Sequence, residues 1–330
     1  MKKIFLVLLM ASSLPVAFAQ KKETTYWDKK SGQIKSEGLL NRKGYKEGIW
    51  KIWYKDGQLK SQESYENGKR IGECSYWYPN GQLKNTTVYV PSNYFHEFKI
   101  ESESIPDNGD WVSYYANGKK KSEGKYLNGG KDGRWIDYYE NGLKKKVYTV
   151  ARELKSGRWE EFYENGQQKS TGLYEKNHKI NEWKHFHENG QVKSIELYNA
   201  QGKSDGKFVS FHENGQPKEK GIYIAGRKEG LWQAWHADGT QKEESKYIGG
   251  KYEGVYKTWY ESGQLSQEGI YHLGLKTGEW NEWHPSGQRR CKTIYKNGLK
   301  NEKCQFWDNN GKLMKEIFYK NGKKKKEIHL

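Results

Sequence analysis

Asn-Gly or a close variant recurs along this chain at a near-constant spacing. The turn glycine falls at Gly32, Gly57, Gly81, Gly118, Gly142, Gly166, Gly190, Gly215, Gly239, Gly263, Gly287 and Gly311. Successive members are 24 or 25 residues apart, except for one interval of 37 between Gly81 and Gly118. A period in the range of roughly 20–50 residues belongs to a solenoid, propeller or linear array, in which each unit packs on its neighbours and there is no single central core.

Each unit reads as a β-hairpin. In WEEFYENGQQKSTGLYEKNHKINEW (159–183) an aromatic run precedes Asn-Gly, a second short run follows, and a looser polar stretch leads to the next Trp. Asn-Gly suits a two-residue turn in which both central residues take positive φ. A second conformational signal precedes each aromatic run: Gly48, Gly72, Gly109, Gly133, Gly157, Gly206, Gly230, Gly254 or Gly278, with Asn181 and Asn301 in the two remaining places. The expected fold class is therefore all-β: an elongated array of about twelve hairpins in one continuous, twisted antiparallel sheet. At about 4.8 Å per strand such a sheet, left open, would extend on the order of 100 Å.

The packing residues keep the same register. Seven residues before the turn glycine stand Trp50, Trp111, Trp135, Trp159, Trp183, Phe208, Trp232, Tyr256 and Trp280, with Cys74 and Cys304 in two units. Eight residues after it, Tyr recurs from Tyr65 to Tyr319. Five units carry Gly six residues after the turn (Gly38, Gly124, Gly172, Gly221, Gly269), which leaves room for a ring to lie flat on the backbone. The structural positions are thus Trp50, Trp111, Trp135, Trp159, Trp183, Trp232 and Trp280, together with turn glycines such as Gly142, Gly166, Gly190 and Gly215. Composition agrees: aromatics are 15% of the chain and hydrophobics only 34%. That is too little aliphatic material for two ordinary cores, but enough for a thin sheet held by aromatic ladders.

The runs YYENGLKKK (138–146), FYENGQQKSTGLY (162–174) and WYESGQLSQEGIY (259–271) resemble the MORN repeat in its bacterial variant form. The resemblance extends over roughly residues 25–322. It implies rows of β-hairpins, a role in protein–protein contact and, in some eukaryotic members, association with membrane lipids. Bacterial proteins of this variant are often described as similar to the YwqK antitoxin of a toxin–antitoxin pair.

Residues 1–19 have the form of a secretory signal peptide: Lys2 and Lys3, the apolar run Ile4–Met10, and Ala17-Phe18-Ala19 before Gln20. No later stretch is apolar enough to span a bilayer. The mature protein is expected in the periplasm, at the cell surface or outside the cell. The expected organisation is signal peptide 1–19, repeats 20–89, an irregular insertion 90–110, repeats 111–322 and a basic tail 323–330.

The net charge is +17, and 58 residues are Lys or Arg, mostly Lys. Base reading favours Arg, and export removes the protein from nucleic acid. The Lys rows read either as a solvated, aggregation-resistant sheet surface or as a means of holding anionic envelope lipid or glycan. The first expectation for function is a non-enzymatic scaffold that binds a protein partner. Lipid or glycan binding and YwqK-like immunity are the alternatives.

Chemistry-bearing residues point the same way. His187, His212, His236 and His284 occupy a position that is Tyr in other units, so they read as ladder residues and not as zinc ligands. Cys74, Cys291 and Cys304 are odd in number; a Cys291–Cys304 bridge and free buried thiols both remain open. Glu140, Glu164, Glu188 and Glu213 repeat with the unit, whereas a catalytic carboxylate is normally unique. No catalytic residue, metal or cofactor is expected. The insertion, with Tyr94, Phe95, His96 and Phe98, reads as a recognition loop or a decayed hairpin.

Overall fold

The computed structural model describes residues 20–90 and 108–330. Among them are 26 β-strands and no helix, so no helix is long and apolar enough to cross a membrane. The chain divides into two compact units, residues 1–130 and 131–330. Within each, the strands run antiparallel as a meander.

In the first unit, Lys21–Asp28 pairs with Gln33–Leu40, which pairs with Lys46–Trp53, which pairs with Leu59–Glu66. Gly72–Trp77, Leu83–Tyr89, Asn108–Tyr114 and Lys120–Leu127 continue the order. From Gly130–Tyr138, all but its first residue in the second unit, through Lys323–His329 each strand pairs with the next in sequence. Residues 323–329, read from the sequence as a basic tail, form a last strand instead. Lys320 pairs with Lys323 and Lys315 with His329. Lysine gives this strand an edge that resists further pairing.

The two kinds of turn are exchanged relative to the sequence reading. At the Asn-Gly repeat only the glycine has positive φ, as at Gly142 (91°) and Gly166 (86°). Gly166 N–H donates to Tyr163 O, and Tyr163 N–H donates to Gln167 O. This is a three-residue loop: a type I turn closed by a glycine in the left-handed region. Asn165 Oδ1 accepts from the Gln167 N–H at 2.9 Å, which explains the Asn without a positive φ.

Two-residue turns with both central residues at positive φ occur at the other connection. They are Asn67-Gly68, Asn128-Gly129, Arg152-Glu153, Lys176-Asn177, Ala225-Gly226, Gly249-Gly250, Leu273-Gly274, Asn297-Gly298 and Asn321-Gly322. The mid-strand glycines mark bulges. Asn181 (57°) takes that conformation as expected, but in the last unit it falls on Glu302 (63°), not on Asn301. Asn301 instead supports the next two-residue turn, where its Oδ1 accepts the N–H of Asn321.

Candidate binding surfaces

One face of the sheet is built on glycine. Gly172, Gly221 and Gly269 lie beneath the indoles of Trp183, Trp232 and Trp280, and Gly38 lies beneath Trp50. A Cβ at any of the four would sit 2.2–2.3 Å from ring atoms. Pairing between strands breaks here, between Thr171 and Leu173 for example. The indole repairs the break: Trp183 Nε1–H donates to Leu173 O at 3.0 Å. Trp50, Trp232 and Trp280 do the same to Leu39, Ile222 and Ile270.

A lysine closes each sandwich from the other side. Lys228 and Lys276 Nζ stand 3.8 Å from the centroids of Trp232 and Trp280, Lys131 stands 4.0 Å from Trp135, and Lys179 stands 4.3 Å from Trp183. Burial pushes the Lys46, Lys131, Lys179 and Lys276 ammonium groups below the usual lysine range, against the pull of nearby carboxylates. Tyrosines stand edge-on between successive rings. Tyr174 lies 5.2 Å from Trp159 and 5.0 Å from Trp183, both in T-shaped geometry.

The fully covered tryptophans of the second unit, Trp135, Trp183, Trp232 and Trp280, recur every second repeat. Between them stand Trp159, Phe208 and Tyr256, only half-buried. The reason for Trp159 is local. On the preceding strand, where the seated tryptophans meet glycine, Trp159 meets Tyr148, and the two rings lie tilted at 5.2 Å; its partner on the following strand is Gly172. Of the glycines expected to seat a ring, Gly38, Gly172, Gly221 and Gly269 do so; what the 24-residue period concealed is this alternation. In the first unit Trp50 is buried and Trp111 is half-buried, with Gly124 opposite it.

The turn edge is a second ladder. Tyr139 and Tyr163 hydroxyls donate to Phe162 O and Phe186 O, both at 2.8 Å. His187, His212, His236 and His284 place Nε2 3.0 Å from the carbonyls of Phe211, Trp235, Trp259 and Trp307. The imidazoles thus serve as tyrosine surrogates, each carrying its proton on Nε2. Asn141, Asn165, Asn189 and Asn214 donate from Nδ2 to Glu164, Glu188, Glu213 and Ala237 carbonyls one repeat on. The turns of Gly142, Gly166, Gly190 and Gly215 are therefore stitched to one another. No cluster of metal-ligating groups occurs among the described residues.

The three cysteines are free and buried. Cys291 pairs across the strands with Phe306, and Cys304 with Ile317, so the register brings them to different partners. Cys291 Sγ lies 3.2 Å from Thr293 Oγ1. Burial pushes the Cys74 and Cys291 thiols up.

The opposite face carries apolar residues and lysines in contact with water. Val255 and Ile270 are direct cross-strand partners, 52% and 46% exposed. Ile222 and Leu231, also exposed, stand opposite Lys207 and Lys246. Sequence reasoning, drawn to the aromatic ladder, missed this row; its signal was the Ile, Leu or Val immediately before Tyr223, Trp232, Tyr256 and Tyr271. Tyr94, Phe95, His96 and Phe98 lie outside the described residues.

A family model described as the MORN repeat variant matches residues 46–67, 70–90, 107–128, 155–176, 179–200, 204–225, 252–272, 276–297 and 303–329, together more than half of the chain. Members of this repeat family are generally non-enzymatic. No curated protein matches the sequence. Among solved structures the chain is similar to the TcdB2-TccC3 crystal structure, with 8% identity over 91% of this chain and 19% of that one and a TM-score of 0.19. It is also similar to the Photorhabdus luminescens Tc holotoxin pore, with 11% identity over 92% and 19% and a TM-score of 0.17. The chain thus spans about a fifth of the length of those chains. Nine matched repeats, each falling on an antiparallel hairpin, place this chain in the MORN repeat variant family.

Proposed function

We propose that this chain is a non-enzymatic repeat scaffold, exported to the bacterial envelope, that holds a protein partner on the face opposite its tryptophans. The carrying observation is the exposed row Ile222, Leu231, Val255 and Ile270, flanked by Lys207 and Lys246. Apolar side chains left in water across neighbouring strands, ringed by charge, mark an interaction surface. The positive flank selects a partner whose apolar contacts are surrounded by carboxylates. The best-placed lysines of the other face are folded onto tryptophan rings. That weakens the alternative in which Lys rows hold anionic lipid or glycan. Export rests on the n-region, apolar run and Ala17-Phe18-Ala19 of residues 1–19.

The test uses residues 20–330 immobilised against envelope extract, beside a Val255→Lys, Ile270→Lys double variant. A protein retained by the parent at about 0.5 M salt, where only very close charges still interact, and lost by the variant supports the reading. Equal retention by both overturns the assigned face. Binding only to anionic vesicles, abolished by that salt, favours the lipid alternative. Export predicts a mature chain beginning at Gln20.

A further inference from the structure

Asn-Gly is the dipeptide at which a chain modifies itself most readily. With no side chain on the glycine, its backbone nitrogen can reach the asparagine side-chain carbonyl, one reason asparagine is thermolabile. The array carries this dipeptide in both of its turns, and the two settings treat the asparagine differently. In the three-residue loop the amide is held at both ends. Asn165 Oδ1 accepts the Gln167 N–H at 2.9 Å, and its Nδ2 donates to Glu188 O at 3.0 Å. Asn189 and Asn214 are held in the same way. Their Nδ2 atoms donate to Glu213 O at 2.8 Å and Ala237 O at 2.6 Å, and their Oδ1 atoms accept from the Gln191 and Gln216 N–H groups at 3.0 Å.

In the two-residue turns of the last repeats the amide is left to solvent. Asn297 and Asn321 are exposed, each with a φ of 48°. Neither side-chain amide has a hydrogen-bond partner among the described residues. Charge sorts the two settings in the same direction. Asn165, Asn189 and Asn214 follow Glu164, Glu188 and Glu213, whereas Asn297 follows Lys296 and Asn321 follows Lys320. A neighbouring cation favours the deprotonated backbone nitrogen that attacks, and a neighbouring carboxylate opposes it. The glycine N–H is engaged in both settings: Gly166 donates to Tyr163 O at 3.0 Å and Gly298 to Lys276 O at 2.9 Å. The contrast therefore lies in the side chain and the charge beside it. Of the other asparagines in two-residue turns, Asn67 lacks both features, since its Oδ1 accepts from Asn41 Nδ2 and it follows Glu66. Asn128 lacks the cation, since it follows Leu127.

We propose that Asn297 and Asn321 are sites of spontaneous deamidation, with water as the reagent. The Gly298 or Gly322 nitrogen loses its proton and bonds to the asparagine Cγ. The Cγ–Nδ2 bond breaks and ammonia departs, which closes a succinimide. Water then opens that ring at either carbonyl to give aspartate or isoaspartate. At Asn165 the same closure must first break both side-chain bonds, because together they fix the plane of the amide. Two net hydrogen bonds slow it at least about tenfold. Each event replaces a neutral amide with a carboxylate. Isoaspartate also adds a backbone carbon to the turn that joins Arg289–Lys296 to Leu299–Trp307, or Leu313–Lys320 to Lys323–His329. The modification is independent of the proposed protein-binding face, and either can fail without the other.

The test incubates residues 20–330 folded at mildly alkaline pH and, in parallel, unfolded in guanidinium chloride, which also screens the charges. Peptide mapping by mass spectrometry follows conversion of amide to acid at each asparagine, and labelling by an isoaspartyl methyltransferase identifies the rearranged product. In the folded protein Asn297 and Asn321 should convert at least about tenfold faster than Asn165, Asn189 and Asn214. In guanidinium chloride the rates should converge, because the fold that sorts them is gone. Equal rates in the folded protein, or faster conversion at the held asparagines, overturn the proposal. So does a difference that survives unfolding undiminished, which would assign the ranking to neighbouring residues and not to the turns. Asn297 and Asn321 left unmodified in the folded protein, over a time in which the unfolded chain converts, overturn it as well.

Discussion

A tryptophan is worth more in this protein when a glycine lies beneath it. Trp183 is buried, donates to Leu173 O and is capped by Lys179, whereas Trp159 tilts against Tyr148 and stays half-exposed. Trp183→Ala should therefore cost about 3–5 kcal/mol, the range for deleting a buried aromatic. Trp159→Ala should cost clearly less, about half or under. Denaturant midpoints of the two variants check the ranking. Gly172→Ala should also destabilise, by about 1–3 kcal/mol, because its methyl would enter the Trp183 ring space.

Glu63 gives a pH signature at the same scale. Burial opposes its charge, but Tyr65 and Arg70 hold its folded pKa below the ordinary 4.5. The stability it contributes is thus present above that value and is lost as pH falls through the folded pKa. Acid should loosen the strands around Leu59–Glu66 only below about pH 4.5, and Glu63→Gln should remove that dependence at a constant cost. NMR intensities of this region between pH 6 and 3 are the readout.

At the scale of the hairpin, turn chemistry sets the register. Gly166 closes a type I turn at φ 86° and lies opposite nothing but solvent and Leu143. Gly166→Ala should cost about 1–2 kcal/mol from backbone strain alone. Circular dichroism melts measure this without confounding from packing. Replacing Lys176 by Asn, in a two-residue turn whose first residue already has φ 47°, should stabilise by a few tenths of a kcal/mol or more.

The hairpins were legible because the turn glycine keeps its spacing in every unit and the aromatic register holds in most of them. The turn types were not, because Asn-Gly serves both kinds of turn: with two positive φ values at Asn297-Gly298, and with one at Asn165-Gly166. The histidine lane was legible as a ladder, since Tyr and His both reach the next carbonyl. The ion pair of Glu63 with Arg70 was not foreseen. Its residues look like ordinary members of the repeat until the fold brings Arg70 Nε within 3.0 Å of Glu63 Oε2. The strand at 323–329 was hidden by its lysines, which suit an edge as well as a tail.

For the whole molecule, the central claim is that stability is held between neighbouring repeats and concentrated at the seated tryptophans. Every bond described above links a hairpin to itself or to the next one. Such an array should lose order locally when one seat is removed. Native-state hydrogen exchange on Trp232→Ala is the direct test. Protection should fall in Pro217–Ile224, Arg227–Trp235 and Gln241–Ile248, while Leu299–Trp307 and Leu313–Lys320 keep that of the parent. An equal loss of protection in all of these strands would contradict the account.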